Sequence, residues 1–158
     1  MANSVLTPRD SFTEMTELVL PQHANALGTA FGGTVMSWID VCAAIVAQRH
    51  TGRISVTAAI DDLHFLAPIR VGDIVRLTGR INATFRTSLE IEVLVEIENA
   101  ATRQRTLCAD AKLTFVNVGQ DGKPIAVPPV VLETDEDRER AAAAEKRREA
   151  RIAQKQKP

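Results

Sequence analysis

Between Gly33 and His50 the sequence offers no polar face. Placed at 100° per residue, Val35, Met36, Trp38, Ile39, Val41, Cys42, Ala43, Ile45, Val46 and Ala47 spread around nearly the whole circumference of a helix, interrupted mainly by Ser37, Asp40 and Gln48. A helix apolar on nearly all sides must be enclosed. The chain has 158 residues, enough for one domain with short appendages, so the enclosure is expected from a sheet on one side and from a partner chain or loops on the other. Gly52 supplies a stop, after Arg49 and His50 in the last turn, where positive charge suits the helix dipole.

The sheet is legible as period-2 alternation. Leu89, Ile91, Val93, Val95 and Ile97 share one phase while Glu90, Glu92, Glu96 and Glu98 hold the other, the mark of a strand with one buried face; only Leu94 breaks it. The same alternation runs through Val75, Leu77, Gly79, Ile81, Ala83 and Phe85, and through Leu107, Ala109, Ala111, Leu113 and Phe115. Arg86-Thr87-Ser88 and Asn99-Ala100-Ala101-Thr102 are short enough to be hairpin connections, so these three strands are predicted to be antiparallel. A fourth strand reads Ile54, Val56, Ala58 and Ile60 in phase, then shifts to Leu63 and Phe65, which predicts a β-bulge at Asp61-Asp62. Phe12 to Leu20 is read as an outer strand. The fold class is therefore α+β, a buried helix wrapped by an antiparallel sheet.

Composition removes several functions. Nineteen Lys and Arg against twenty Asp and Glu leave a formal charge of −1, without the basic field of a nucleic-acid binder. The longest fully apolar run, Val41 to Ala47, is far below the ~18 residues of a membrane span. The opening Met1 to Pro8 lacks the charged-then-apolar build of a signal peptide, so a soluble cytoplasmic protein is expected. Cys42 and Cys108 sit in apolar contexts far apart in sequence and read as buried thiols. No His pair, P-loop or dinucleotide fingerprint is present, so metal and dinucleotide chemistry gain no support.

Residues 119 to 132, with Pro124, Pro128 and Pro129, form a connector, and residues 133 to 158 a charged tail with acids first and bases later. Thr134 and Asp137 have capping-box spacing, which predicts a helix from about Asp135. With little but Ala141 to Ala144, Ala150 and Ile152 to pack, it reads as a solvated helix that frays.

Chemistry is concentrated before and within the enclosed helix. Gly28, Gly32 and Gly33 with Asn25 precede the helix start, where free backbone N–H groups can meet a carbonyl oxygen gaining negative charge. A glycine-rich turn that only opens a helix accounts for the same residues. Asp40 sharpens the case, because a carboxylate two turns into an apolar helix costs several kcal/mol unless it is solvated, paired or protonated. Asn25 can orient a water or hold a carbonyl, or form an Asx turn before Gly28. His23 is a candidate general base or a surface histidine; His50 and His64 are isolated.

The pattern Asn25-x-x-Gly28-x-x-Phe31-Gly32-Gly33-x-x-Met36-x-x-x-Asp40, followed by Val56-Thr57-Ala58-Ala59-Ile60-Asp61 and Phe65-Leu66-x-Pro68-x-x-Val71-Gly72-Asp73, resembles the hotdog-fold acyl-CoA thioester hydrolases. The resemblance covers about residues 12 to 118, so residues 1 to 118 form the expected hotdog domain. It implies a long helix wrapped by a five-stranded sheet, paired into a homodimer whose interface holds the sites, often in a trimer of dimers. It further implies hydrolysis of acyl-CoA to CoA and fatty acid without metal or organic cofactor. The family's functional Asn and Asp match Asn25 and Asp40, which would come from opposite subunits. Phe31, Gly32 and Gly33, and Thr87 and Ser88 of the hairpin, would bind substrate.

On this reading the thioester carbonyl lies against the N–H groups near Gly32 and Gly33 while Asp40 activates a water or attacks directly to give a transient anhydride. Lys146, Arg147, Arg148 and Arg151 are candidates for the CoA phosphates. Two alternatives stay open: a hotdog dehydratase or hydratase of 3-hydroxyacyl thioesters using His23, and a non-catalytic acyl-CoA-binding module.

Overall fold

The alternation read between residues 74 and 117 becomes three long neighbouring strands. In the computed structural model, which describes residues 5–158, the order is β1 (Thr13–Leu18), a 3-10 turn (Pro21–His23), α1 (Gly32–Thr51), β2 (Ser55–Phe65), β3 (Ile74–Thr84), β4 (Ser88–Glu98), β5 (Arg105–Asn117) and α2 (Asp135–Lys155). Met1 to Ser4, where the reading for a leader began, lie outside the described residues. The strands form one antiparallel sheet in the order β1-β3-β4-β5-β2, so β1 and β2 are its edges. Among the described residues no helix is long and apolar enough to cross a membrane.

The inward phase of the sheet packs on α1. Leu77, Ile81, Leu89, Ile91, Leu113 and Phe115 join Val35, Ile39, Cys42 and Val46 in one buried cluster. Both cysteines are buried free thiols, and burial pushes Cys42 up to about 12 against a small opposing effect of Arg49. Helix α1 lies close against the sheet at Gly79 on β3. A Cβ there would lie 2.8 Å from Val46 Cγ2 and 3.0 Å from Cys42 Sγ. Gly79→Ala should therefore destabilise the fold by about 1–3 kcal/mol through overpacking. Urea unfolding checks this: Val46→Ala in the same chain should recover part of the loss, and an unchanged midpoint for Gly79→Ala would refute the contact.

Enclosure of α1 is only half achieved within one chain. The side away from the sheet keeps Met36 and Val41 exposed, the latter by 47%; edge strand β2 exposes Val56 by 48%, and Ile54 just before it is exposed by 73%. The first part of the apolar phase assigned to β2, Ile54, Val56 and Ala58, thus does not face this chain's core, whereas Ile60 and Leu63 pack against it. One reason is an irregularity not anticipated from sequence: the pairing with β5 slips between Thr57 and Ala59, in addition to the expected bulge between Asp61 and His64, where Asp62 adopts φ +49.

Helix α2 corrects the expectation of a solvated, fraying tail. Its capping box forms as predicted, with Thr134 accepting from the Asp137 N–H at 3.0 Å and Asp137 accepting from the Thr134 N–H at 3.1 Å. The helix docks on the sheet's outer face, opposite α1, and Ala144 is fully buried. It is held by ions: Arg80 pairs with Asp137, Arg140 with Glu92 at 2.6 Å, Arg147 with Glu90 at 2.6 and 3.1 Å, and Arg151 with Asp61 at 2.6 Å. The glutamate phase of β4, read as solvent-facing, is this helix's docking surface, and Glu90 is only 1% exposed. The connector runs back along the rim, where the Val127 N–H donates to the Arg86 carbonyl and the Val130 N–H to Thr84 Oγ1.

Candidate active site

The loop before α1 is built around an Asx turn. Asn25 Oδ1 accepts from the N–H of Leu27 at 2.9 Å and of Thr29 at 3.3 Å, while its Nδ2 donates to Thr29 Oγ1 at 2.9 Å. Gly28 within that turn takes φ +78, a conformation that disfavours a side chain. Both sequence readings of Asn25 survive, since the turn uses one of the two amide hydrogens and leaves the other.

The turn delivers the chain to α1 with no side chain capping its start. The first turn's backbone bond runs from the Val35 N–H to the Phe31 carbonyl, so the N–H groups of Gly32, Gly33 and Thr34 are free helix donors. Phe31, Gly32 and Gly33 are exposed, and nothing lies within 4 Å of where a Cβ on Gly33 would sit. A cleft of about 410 Å³ adjoins these donors, lined by Thr29, Val35, Phe65, Leu66, Pro68 and Ile69 among others. It is an apolar slot ending at the positive end of a twenty-residue helix.

Asp40 is half-buried, and its Oδ1 accepts a hydrogen bond from Thr57 Oγ1 at 2.7 Å. Its Oδ2 makes no hydrogen bond within the described residues. In the sequence Thr57 stands only within the Val56-to-Asp61 motif; a threonine in a strand carries no signal of its own, and the slip beside Ala58 is the local irregularity at which it meets the carboxylate. Asp40 and Gly32 stand eight residues apart on one helix, about 12 Å along its axis.

The other candidates are placed as follows. His23 Nδ1 accepts from the Leu20 N–H at 3.0 Å, and its ring meets Trp38 edge-on at 5.2 Å, so it serves the fold of the loop. His50 is buried and donates from Nε2 to the Pro128 carbonyl at 2.6 Å, tying α1 to the connector. Thr87 and Ser88 are half-buried at the tip of the β3–β4 hairpin, closed by the bond from the Phe85 N–H to the Ser88 carbonyl. Of the four tail cations, Arg147 and Arg151 are engaged by Glu90 and Asp61, Lys146 is exposed, and Arg148 lies over the ring of Phe85 at 4.9 Å.

Comparison with known proteins fits this arrangement. A family model described as the thioesterase superfamily matches residues 27–104. The chain is 41% identical over 129 residues to the uncharacterized acyl-CoA thioester hydrolase YkhA of Bacillus subtilis, covering 82% of this chain and 75% of that one. It is 37% identical over 134 residues to the cytosolic acyl coenzyme A thioester hydrolase of Rattus norvegicus, of which it spans 35%. Among solved structures, an acyl-CoA hydrolase from Staphylococcus aureus in complex with butyryl coenzyme A, coenzyme A and coenzyme A disulfide superposes with a TM-score of 0.88 at 36% identity, covering 94% of this chain and 91% of that one. Alanine variants of that enzyme replace an Asn, an Asp and a Thr whose positions lie 15 and 17 residues apart. A hexameric acyl-CoA thioesterase matches with a TM-score of 0.90 at 39% identity, covering 96% and 97%. The chain belongs to the thioesterase superfamily, among its hotdog-fold acyl-CoA thioester hydrolases. It is accordingly an enzyme, and its reaction is thioester hydrolysis.

Proposed function

We propose that this chain hydrolyses acyl-CoA to CoA and a fatty acid with a water activated by Asp40, in a site that two copies complete together. The observation that carries the reading is the 12 Å spacing on α1: the free amides at Gly32 and the Asp40 carboxylate of one chain cannot both reach one carbonyl group. A two-fold partner, seated on the exposed apolar side of α1 and the open edge of β2, would bring its own Asp40 to this chain's amides. The hexameric relative supports a trimer of such dimers. The intervals of 15 and 17 residues between the substituted Asn, Asp and Thr of the S. aureus enzyme are those separating Asn25, Asp40 and Thr57 here.

In this site the acyl chain occupies the apolar cleft and the thioester oxygen accepts from the N–H groups of Gly32 and Gly33, with the remaining Asn25 amide hydrogen beside them. Thr57 fixes Oδ1 of Asp40, and Oδ2 takes a proton from water as the oxygen attacks the carbonyl carbon. The tetrahedral oxyanion rests on the amides. When it collapses, the C–S bond breaks and CoA leaves as a thiolate that recovers the proton from Asp40. A thioester is an activated acyl group with a good leaving group, so no metal or organic cofactor is required.

Subunit mixing tests the shared site. Asn25→Ala and Asp40→Asn chains should each be nearly inactive in release of free CoA thiol from an acyl-CoA panel, but after dissociation and reassociation together should regain roughly a quarter of wild-type activity. Half the dimers then mix the two variants, and each mixed dimer holds one intact site of two. No recovery on mixing would place both residues in one chain's site, and an inactive wild type would refute the hydrolase reading.

A further inference from the structure

Strand β2 turns Thr57 toward one layer of the molecule and Asp61 toward the other. Thr57 donates to Asp40 on α1, inside the sheet, whereas Asp61 Oδ2 accepts from Arg151 Nη1 of α2 at 2.6 Å on the outer face. In a regular strand residues four apart share a face, so these two contacts need a fault between them. The fault is the slip at Ala58. Thr57 and Ala59 oppose the consecutive residues Phe115 and Thr114 of β5, which leaves Ala58 as the extra residue of a bulge. Thr57 therefore keeps the phase of Phe115, a core residue, and Asp61 takes the phase of Lys112, whose ammonium meets Glu92 beneath α2.

The stretch that fixes this geometry is short. A second slip follows between Asp61 and His64, so only Ala59, Ile60 and Asp61 stay in register between the two faults. Within one chain β2 is an edge of the sheet, with backbone pairing on the β5 side alone. Ile60 packs against the core. Among the described residues, the stretch makes one polar side-chain bond to another element, from Asp61 to Arg151. A one-residue shift of the strand would turn each side chain to the opposite face and take Thr57 away from Asp40. The same shift would strip Asp61 of its partner and turn a carboxylate toward the core, which opposes it.

We infer that Asp61 and Arg151 are positioning residues for the reaction: α2 pins β2 beyond the Ala58 bulge and so holds the Thr57 hydroxyl on Oδ1 of Asp40. The inference rests on the hydrolase reading above. It makes the C-terminal helix a support of the catalytic carboxylate without any contact to substrate, and it gives Arg151 a task other than binding CoA phosphates.

Steady-state thiol release from acyl-CoA by the full chain tests it. Arg151→Ala should lower kcat roughly tenfold, part of the ~10²-fold that a 1 Å misplacement costs, with KM within about twofold. The pair is partly exposed, so its loss should leave the fold intact. The bond to Asp61 uses one nitrogen, and Arg151→Lys should restore most of kcat. In a Thr57→Val chain, which already lacks the hydroxyl, adding Arg151→Ala should cost kcat no more than about a further twofold. Hydrogen exchange reads the same tie without turnover: amides from Thr57 to Asp61 should exchange faster in Arg151→Ala, while those of β3 and β4 keep their rates. Arg138→Ala, which removes an exposed pair with Asp135 at the other end of α2, should change none of these. A raised KM with kcat unchanged would assign Arg151 to the substrate, a full loss of kcat in the Thr57→Val chain would detach it from Thr57, and unchanged exchange along β2 would show the strand held without it. Each of these overturns the inference. An inactive wild type would instead refute the hydrolase reading beneath it, with hydrogen exchange still testing the tie.

Discussion

Asp40→Asn should lower kcat by roughly 10²- to 10⁴-fold while leaving the thermal midpoint within a few degrees of wild type. Asparagine is nearly isosteric and can still accept from the Thr57 hydroxyl at the position of Oδ1, so the anchoring bond of 2.7 Å has a replacement. What disappears is the oxygen that takes a proton. In the proposed site, substrate is held by the cleft, the amides and the hairpin rather than by Asp40, so KM should stay within a few-fold. A single-turnover assay of thiol release, with circular dichroism on the same samples, separates chemistry from folding. Turnover near wild type would remove Asp40 from the mechanism. Loss of the folded signal would mean that the carboxylate serves the packing of α1 on β2.

Removing the Arg147 guanidinium should have the largest effect on stability. Glu90 is 1% exposed, accepts two hydrogen bonds from Arg147 and one from Asn82 Nδ2 at 3.0 Å, and lies beneath α2. Arg147→Ala strands that carboxylate, and breaking a buried pair from one side costs about 3–5 kcal/mol. The same arithmetic predicts the rescue. Glu90→Leu added to Arg147→Ala removes the stranded charge and should return most of the loss, since an apolar pair of similar volume is often neutral or better. Chemical denaturation of the single and double variants measures both. A single variant within about 0.5 kcal/mol of wild type would mean that Glu90 reaches water and that α2 is held loosely.

These two residues also mark the limits of reading the chain as a string. The β4 alternation, the bulge at Asp61-Asp62 and the enclosed helix were legible because each is written within about a dozen neighbouring residues. The capping box of α2 was legible for the same reason. Its docking was not, because Glu90 and Arg147 lie 57 residues apart and their complementarity has no period. In sequence, a glutamate row on a strand and an arginine row on a tail each read as solvated charge. Asp40 stood out because burial makes a carboxylate conspicuous on an apolar helix, whereas Thr57, one hydrogen bond away, is an ordinary strand residue. The half-open enclosure of α1 was foreseen as a choice between partner and loops, and the exposed Val41 and Val56 favour the partner.

On the proposed shared site, a rod that carries the two ends of a reaction eight positions apart turns solitude into an off state. In dilute solution, where protomers separate, specific activity should then fall as chains part company. Abundance would then act as a throttle on this hydrolase, with turnover per molecule climbing as the cell makes more of it.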